Sequence, residues 1–257
     1  MSVLLGTVRT MLLTLLRGRL HIGLLATGVL LVLLSVMLQE LSVGETVRSF
    51  TAVSLAMQSL VVDVTAFAAA LSLSHAYLIG RAAIPWLSRP VSRSLFFAAG
   101  VAAVVLATVL AGVVLTIPIA LITAVYEGPV GRVTAAALVG GLEAVVVAVV
   151  AVSCRMRLSV AMTLTLTTAV VLLGRLDLLM TDMATRGIFG AGTLIIRAVQ
   201  WVVPHLWLTD WTSYALAPEK PLPALWEPVV HVTLYAGAVF CVGLVWHRQA
   251  DFAKDPN

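Results

Sequence analysis

The chain has 257 residues, of which 61% are hydrophobic and only 11% are charged, and its mean hydropathy is +1.07. A soluble domain carries about 25% charged residues, so this composition excludes an ordinary soluble enzyme or binding module. Apolar stretches of about 20 residues recur along the chain, which is the length that crosses a bilayer as an α-helix. We therefore expect an all-α polytopic membrane protein, built as one transmembrane domain over residues 1–257.

The first apolar segment is predicted to lie along the membrane surface. Its apolar and polar side chains occupy opposite helical faces, which is typical of an interfacial helix. We assign residues 1–20 to this cytoplasmic interfacial helix. The apolar face holds Leu4, Val8, Met11, Leu12 and Leu15, and the polar face holds Thr7, Thr10, Thr14 and Arg17.

Six further stretches are predicted to span the membrane. The second and third are longer than a bilayer requires, so we expect them to tilt, kink or project, with Pro118 as a kink point in the third. A ridge of alanines at four-residue spacing in the third (99, 103, 107 and 111) suits close helix packing, within the chain or at a dimer face. The predicted spans are residues 22–38, 52–79, 95–125, 133–153, 159–174 and 229–246.

Residues 188–203 are apolar with a polar stripe formed by Thr193, Arg197 and Gln200. A buried arginine in mid-span costs several kcal/mol. We therefore expect an interfacial or re-entrant helix inside an external loop, residues 175–228. If this segment spanned the membrane, there would be seven spans and the C-terminus would be external.

Lysine and arginine are divided unequally between the two predicted sides. One side carries ten of them against two acidic residues, and the other carries six against eight. The positive-inside rule then predicts that both termini are cytoplasmic. The net charge of +4 reflects topology, and no nucleic-acid partner is expected because no soluble basic face is present. The ten are Arg9, Arg17, Arg19, Arg81, Arg89, Arg93, Arg155, Arg157, Arg248 and Lys254; the six are Arg48, Arg132, Arg175, Arg186, Arg197 and Lys220.

The sequence contains none of the common motifs for nucleotide or hydrolytic chemistry. Neither lysine follows a glycine, so there is no P-loop, and neither HExxH nor GxSxG occurs. His205, Asp210 and His231 are a weak candidate metal set with irregular spacing, and hydrogen-bonded interfacial residues are the expected alternative. We expect no cofactor and no metal.

Two carboxylates fall inside predicted spans, Asp63 in the second and Glu143 in the fourth. Helical rise places Glu143 about 18 Å from Arg155, near mid-membrane, and Asp63 about 27 Å from Arg81, closer to the outer edge. Intramembrane acids indicate a polar pathway or proton-linked site by default. The alternative is a protonated or hydrogen-bonded acid that locks helices together, which we favour for Asp63 and leave open for Glu143.

Four motifs resemble those of type-2 permeases of ATP-binding-cassette (ABC) exporters, in the branch linked to multi-copper-enzyme maturation and gliding machinery. They occur in the family's order and cover nearly the whole chain. Two departures are the stretch GRAAIPWL, where the family has an acidic residue and Thr-Leu, and Met156-Arg157, where it has Ser-Pro. The motifs are WLSRPVSRSLFF (86–97), LEAVVVAVVAVSCRMRLSVAMTLTLTTAVVLLG (142–174), VVPHLWLTDW (202–211) and WHRQADF (246–252).

The resemblance implies a six-helix permease subunit in a bacterial cytoplasmic membrane, working as a homo- or heterodimer on two separate ATPase subunits. ATP hydrolysis would occur on that partner, so this chain itself would not be an enzyme, and an external partner protein is a further expectation. Residues 80–94 would be the cytoplasmic coupling segment, with an apolar anchor and charges for docking. A headgroup-binding anchor is the alternative. The coupling residues would be Trp86, Leu87, Arg89, Pro90, Ser92 and Arg93.

Two other classes of function stay open from the residues. One is an intramembrane enzyme acting on lipid, with Asp63, Glu143 and His75 as acid and base. The other is a membrane assembly or anchor protein that transports nothing. The substrate of a permease is not readable from spans this generic.

Overall fold

The computed structural model describes residues 2–40, 46–79, 92–186, 193–217 and 219–249. Within these ranges the chain is helical with no β-strand, and six helices are long and apolar enough to cross a membrane. The predicted all-α polytopic membrane fold is therefore confirmed. The helices are α1 (Ser2–Leu16), α2 (Arg19–Glu40), α3 (Thr46–Leu73), α4 (Arg93–Val125), α5 (Val130–Arg155), α6 (Val160–Thr185), α7 (Thr193–Val202), α8 (Thr212–Leu216) and α9 (Trp226–Arg248).

Five of the six predicted spans agree with the observed helices to within a few residues at most ends. The fifth does not, because α6 continues past the predicted end at residue 174 to Thr185. Residues 175–185 are thus helix, and the prediction that an external loop begins at residue 175 is wrong for them. A charged residue at position 175 predicts the end of a span. In the structure, however, the Arg175 side chain pairs with acids on neighbouring helices, so the helix continues.

Helix α5 forms the centre of the bundle and packs against α3, α4, α6 and α9. It is rich in valine and alanine, and two thirds of its most apolar stretch is buried. Small side chains allow close approach of helix backbones, which is how helices associate where water supplies no driving force. The alanine ridge of α4 (99, 103, 107 and 111) is fully buried within this one chain, so it serves internal packing.

The bundle has two ends, named here by their residues. The terminus end holds Arg93, Arg157 and the C-terminus of α9, since Arg93 contacts the Arg248 carbonyl and Arg157 contacts Gln249. The Trp211 end holds the α4–α5 turn and helix α8. That turn is tight, with Glu127 in the left-handed region (φ 54°).

Helix α1 packs on the bundle at the terminus end, against α4 and α3. Met11 and Leu15 are buried, and the Thr14 and Tyr77 hydroxyls are 2.8 Å apart. The three threonines of its polar face bond to carbonyls one turn back in the same helix. The predicted amphipathic helix therefore exists, with its apolar face on the protein.

At the Trp211 end, the chain enters the bundle after a surface helix. Helix α7 has no buried residue, and its ten residues cover about 15 Å, half of a bilayer. The following segment, residues 203–216, turns inward and buries Leu206, Thr209 and Trp211. It is called the re-entrant segment below. The described residues therefore contain six spans, because α7, from Thr193 to Val202, is too short to be a seventh.

Candidate functional site

An ion-pair cluster joins three helices inside the bundle. Arg175 on α6 donates from Nε to Glu143 Oε1 (2.7 Å) and from Nη2 to Glu143 Oε2 (3.0 Å), a bidentate arrangement. The same Nη2 lies 2.6 Å from Ser59 Oγ and 3.5 Å from Asp63 Oδ2 on α3. Planar guanidinium–carboxylate pairing of this kind fixes geometry as well as charge. The cluster therefore holds α3, α5 and α6 in one arrangement.

The two acids predicted from the sequence thus share one cation. Sequence spacing placed Asp63 nearer the outer edge than Glu143, but their helices bring both carboxylates to the same guanidinium. Helical rise gives positions along separate axes, and tilt and stagger between helices shift those positions relative to one another. Asp63 and Glu143 therefore lie close together, despite the difference in membrane depth that the sequence predicts for them.

Arg175 is the residue that sequence reasoning missed at this site. The apolar run that ends at residue 174 predicts an external loop from Arg175 onward. The signal that could have found it is the apolar pattern that resumes directly afterwards, LDLLM at 176–180. Two acids without a cation in the spans were a second signal, since buried charges are paired.

A cavity of about 210 Å³ opens beside the cluster, between α3, α5, α6 and the re-entrant segment. Glu143 and Arg175 line one wall. Trp207, Asp210 and Trp211 line the wall formed by the re-entrant segment. The cavity is therefore lined by the Glu143–Arg175 ion pair on one side. On the other side it is lined by a segment that the sequence predicts to lie in an external loop.

The re-entrant segment rests directly on α6 because position 174 is a glycine. A Cβ at Gly174 would stand 2.6 Å from the Pro204 carbonyl oxygen and 2.8 Å from Leu206 Cγ, both closer than van der Waals contact. Gly174 lies about 16 Å below the α6 end at Thr185, using 1.5 Å per residue. The backbone at Pro204 and Leu206 therefore reaches well into the bundle.

Gln58 crosses the bundle beside the same cavity, which it lines. Its Nε2 donates to Thr116 Oγ1 (2.9 Å) and lies within 3.2 Å of the Gly112 carbonyl oxygen. These carbonyl contacts fix which end of the amide is nitrogen, because a carbonyl can only accept. The amide oxygen, Oε1, is buried without a hydrogen-bond partner.

Two residues of the candidate metal set, His205 and His231, are neighbours with ring centroids 5.1 Å apart, but Asp210 does not join them. His205 Nδ1 contacts Asp177 Oδ2 at 2.5 Å, and His231 Nε2 accepts from the His205 backbone N–H at 2.9 Å. Asp210 instead lines the cavity described above. Across the described ranges no three His, Cys, Asp or Glu side chains are grouped so as to hold a metal ion. The histidines thus serve as hydrogen-bonded anchors of the re-entrant segment on α6 and α9.

The candidate acid–base set for a lipid-acting enzyme also fails to assemble. His75 lies in the π-helical turn Ser74–Leu78 that follows α3, near the terminus end. Twelve helical residues separate it from Asp63, which is about 18 Å of helix. Both carboxylates are engaged with Arg175 instead.

Of the predicted coupling residues, Trp86, Leu87, Arg89 and Pro90 lie outside the described residues. Ser92 and Arg93 are described, and both act at the start of α4. The Ser92 hydroxyl accepts from the Leu95 backbone N–H at 3.3 Å, which is an N-cap. Arg93 Nη1 is 3.4 Å from the Arg248 carbonyl oxygen at the end of α9.

No protein-family model matches the sequence, and no curated protein matches it significantly.

Proposed function

We propose that the chain is the membrane-spanning permease subunit of an ABC-type exporter, in which a separate ATPase drives substrate movement or force transmission. The observation that carries this proposal is the convergence of two motifs behind the family resemblance. Glu143 and Gly174 belong to the motif at 142–174, and Leu206 and Asp210 belong to the motif at 202–211. Glu143 and Asp210 line one cavity, and Leu206 packs on Gly174.

Such convergence supports the resemblance, because residues that match the two motifs only by chance would not be expected to lie together in the structure. Residues that meet around a polar cavity inside an apolar bundle carry a cost, since charges and hydrogen-bonding groups are expensive in a membrane. A transport pathway or a conformational switch accounts for that cost. An anchor protein that only holds its position does not need it.

The geometry of the terminus end supports a docking role for residues 80–94. Tyr77 precedes this segment and contacts Thr14 of α1, and Arg93, near the end of the segment, contacts the end of α9. Movement imposed on the segment would therefore act on α1, α3, α4 and α9 together. This end would be cytoplasmic, with both termini, in a bacterial cytoplasmic membrane.

The test is purification of the full chain, tagged at its C-terminus, from its native membrane in mild detergent. The expected result is a co-purifying protein with a P-loop and ATPase activity that depends on the permease. Recovery of the chain in good yield with no nucleotide-hydrolysing partner, from native membranes and after cross-linking, would refute the proposal.

A further inference from the structure

The cavity beside the ion-pair cluster carries more negative than positive side chains. Glu143 and Asp210 line it, and Arg175 is the cation among its lining residues. Arg175 is further shared with Asp63, 3.5 Å away. Within the described ranges Asp210 forms no ion pair, and its Oδ1 accepts from the Thr212 backbone N–H at 3.1 Å. Because the lining holds two carboxylates and one guanidinium, the cavity favours a positively charged occupant.

A second, independent feature of the cavity is a buried hydrogen-bond acceptor without a donor, on Gln58 in its lining. Gln58 is only 2% exposed, and its Oε1 has no partner although its Nε2 is fully engaged. A buried acceptor left unsatisfied costs about 1–3 kcal/mol. Oε1 is itself buried, so a small rotation of the amide toward the cavity would let a donor on a ligand remove that cost.

Aromatic side chains complete the lining. Trp207 and Trp211 of the re-entrant segment both border the cavity. Indole rings attract cations through their negative faces, and tryptophan is the most effective side chain for this interaction. The lining thus combines carboxylates, an unsatisfied amide oxygen and indoles, which all attract the same kind of group.

We propose that this cavity binds the ammonium group of a primary amine. The N–H groups donate to the carboxylates and, after the Gln58 amide rotates toward the cavity, to its Oε1. The positive charge lies against the indoles. The volume of about 210 Å³ suits a small amine or the amine part of a headgroup. The site rests on the cavity alone and does not require an ATPase partner.

The test uses the full chain in phosphatidylglycerol nanodiscs and phenethylammonium as the probe, measured by equilibrium dialysis. Phenethyl alcohol is the neutral control, and trimethyl(phenethyl)ammonium is a cation without N–H donors. We expect saturable binding of phenethylammonium, at least tenfold tighter than that of either control. Absence of saturable binding, or equal binding of the alcohol or the trimethyl compound, overturns the proposal.

Variants locate the binding. Asp210→Asn keeps the acceptor that caps Thr212 but removes the charge, so phenethylammonium binding should weaken at least tenfold. Asp182→Asn is the matched control, because Asp182 lies on α6 outside the cavity and pairs with Arg186. Unchanged binding in Asp210→Asn, or equal weakening in Asp182→Asn, overturns the assignment to this cavity.

Adding phosphatidylethanolamine to the discs assigns the source of the native amine. Competition with phenethylammonium identifies a lipid headgroup, and unchanged binding identifies a free amine. Both results support the amine site. The ATPase pull-down is independent of these measurements, so failure of one proposal is distinguishable from failure of the other.

Discussion

Arg175 and Glu143 form a bidentate ion pair between α6 and α5, with N–O distances of 2.7 and 3.0 Å. The pair is uneven in its exposure: 47% of the Arg175 side chain is accessible, against 6% of the Glu143 side chain. Asp63 lies close to the same guanidinium. The arginine therefore compensates two acids that would otherwise repel each other inside the bundle.

Removing the cation should be more harmful than removing one acid. Arg175→Met leaves Glu143 and Asp63 without compensation, and we expect a loss of about 1–3 kcal/mol, below the ~3–5 typical of broken buried pairs because Arg175 is partly exposed. Glu143→Gln should cost less, since the amide oxygen still accepts from Arg175. Thermal unfolding in detergent, monitored as loss of the monodisperse peak, measures which of the two variants loses more stability.

The double variant Glu143→Gln/Arg175→Met tests whether the two single losses come from one ion pair or from two independent effects. We expect it to be more stable than the sum of the two single losses predicts, because Glu143 no longer carries a charge without its partner and only Asp63 is left uncompensated. Asp182→Asn/Arg186→Gln is the control, as this exposed pair within α6 should contribute little. Strict additivity in the Glu143–Arg175 cycle would show that the pair is not coupled.

Gly174 should be required for seating the re-entrant segment. Gly174→Ala places a Cβ within 2.6 Å of the Pro204 carbonyl oxygen, which must shift the segment or the helix. We expect a lower unfolding temperature and faster proteolysis between residues 203 and 217.

Gly237→Ala on α9 is the matched control, because nothing lies within 4 Å of the added Cβ. Alanine favours helix over glycine by about 1 kcal/mol, so this variant should be neutral or slightly stabilised. Equal behaviour of the two variants would argue against tight packing at Gly174.

The orientation of the bundle can be tested with single cysteines in a chain where Cys154 and Cys241 have been replaced. By the positive-inside rule, cysteines at residues 44, 127 and 220 should react with an impermeant thiol reagent from outside, and those at 88 and 252 should not. Position 127 is preferred to 128, where a side chain would clash with Thr123. Labelling at residue 252 in intact cells would show that the C-terminus is external and contradict the predicted topology. Permeabilised cells provide the control for reactivity.

The proposed coupling segment can be tested through Leu87, which lies outside the described residues. Leu87→Asp should weaken ATPase co-purification by roughly thirtyfold, the equivalent of a ~2 kcal/mol hot spot. Leu87→Ile is the matched control and should retain the partner. Full binding and full ATP turnover in Leu87→Asp would leave residues 80–94 with an anchoring role only.

Arg93 is a less clean test of the same segment. Its guanidinium contacts the Arg248 carbonyl, so Arg93→Glu changes the terminus end of the bundle as well as any docking surface. We expect Arg93→Glu to weaken the ATPase complex in a salt-dependent way. Its thermal stability must be compared with that of Leu87→Asp, which should match the unmodified chain.

The sequence by itself determined the class of the protein, the number of spans and the amphipathic nature of α1. These follow from local properties, since apolar length and helical periodicity are readable along a single chain. It also identified Asp63 and Glu143 as unusual, because charge in an apolar run is visible without a structure.

The tertiary structure decided what those residues do. Only the packing of α3, α5 and α6 shows that both acids meet Arg175, and only the inward turn of residues 203–216 brings Asp210 to the same cavity. Sequence reasoning ended the fifth span at an arginine because an unpaired charge is costly in a membrane. The charge is paired with acids far away in the chain, and such pairing depends on helix tilt and stagger, which no local pattern encodes.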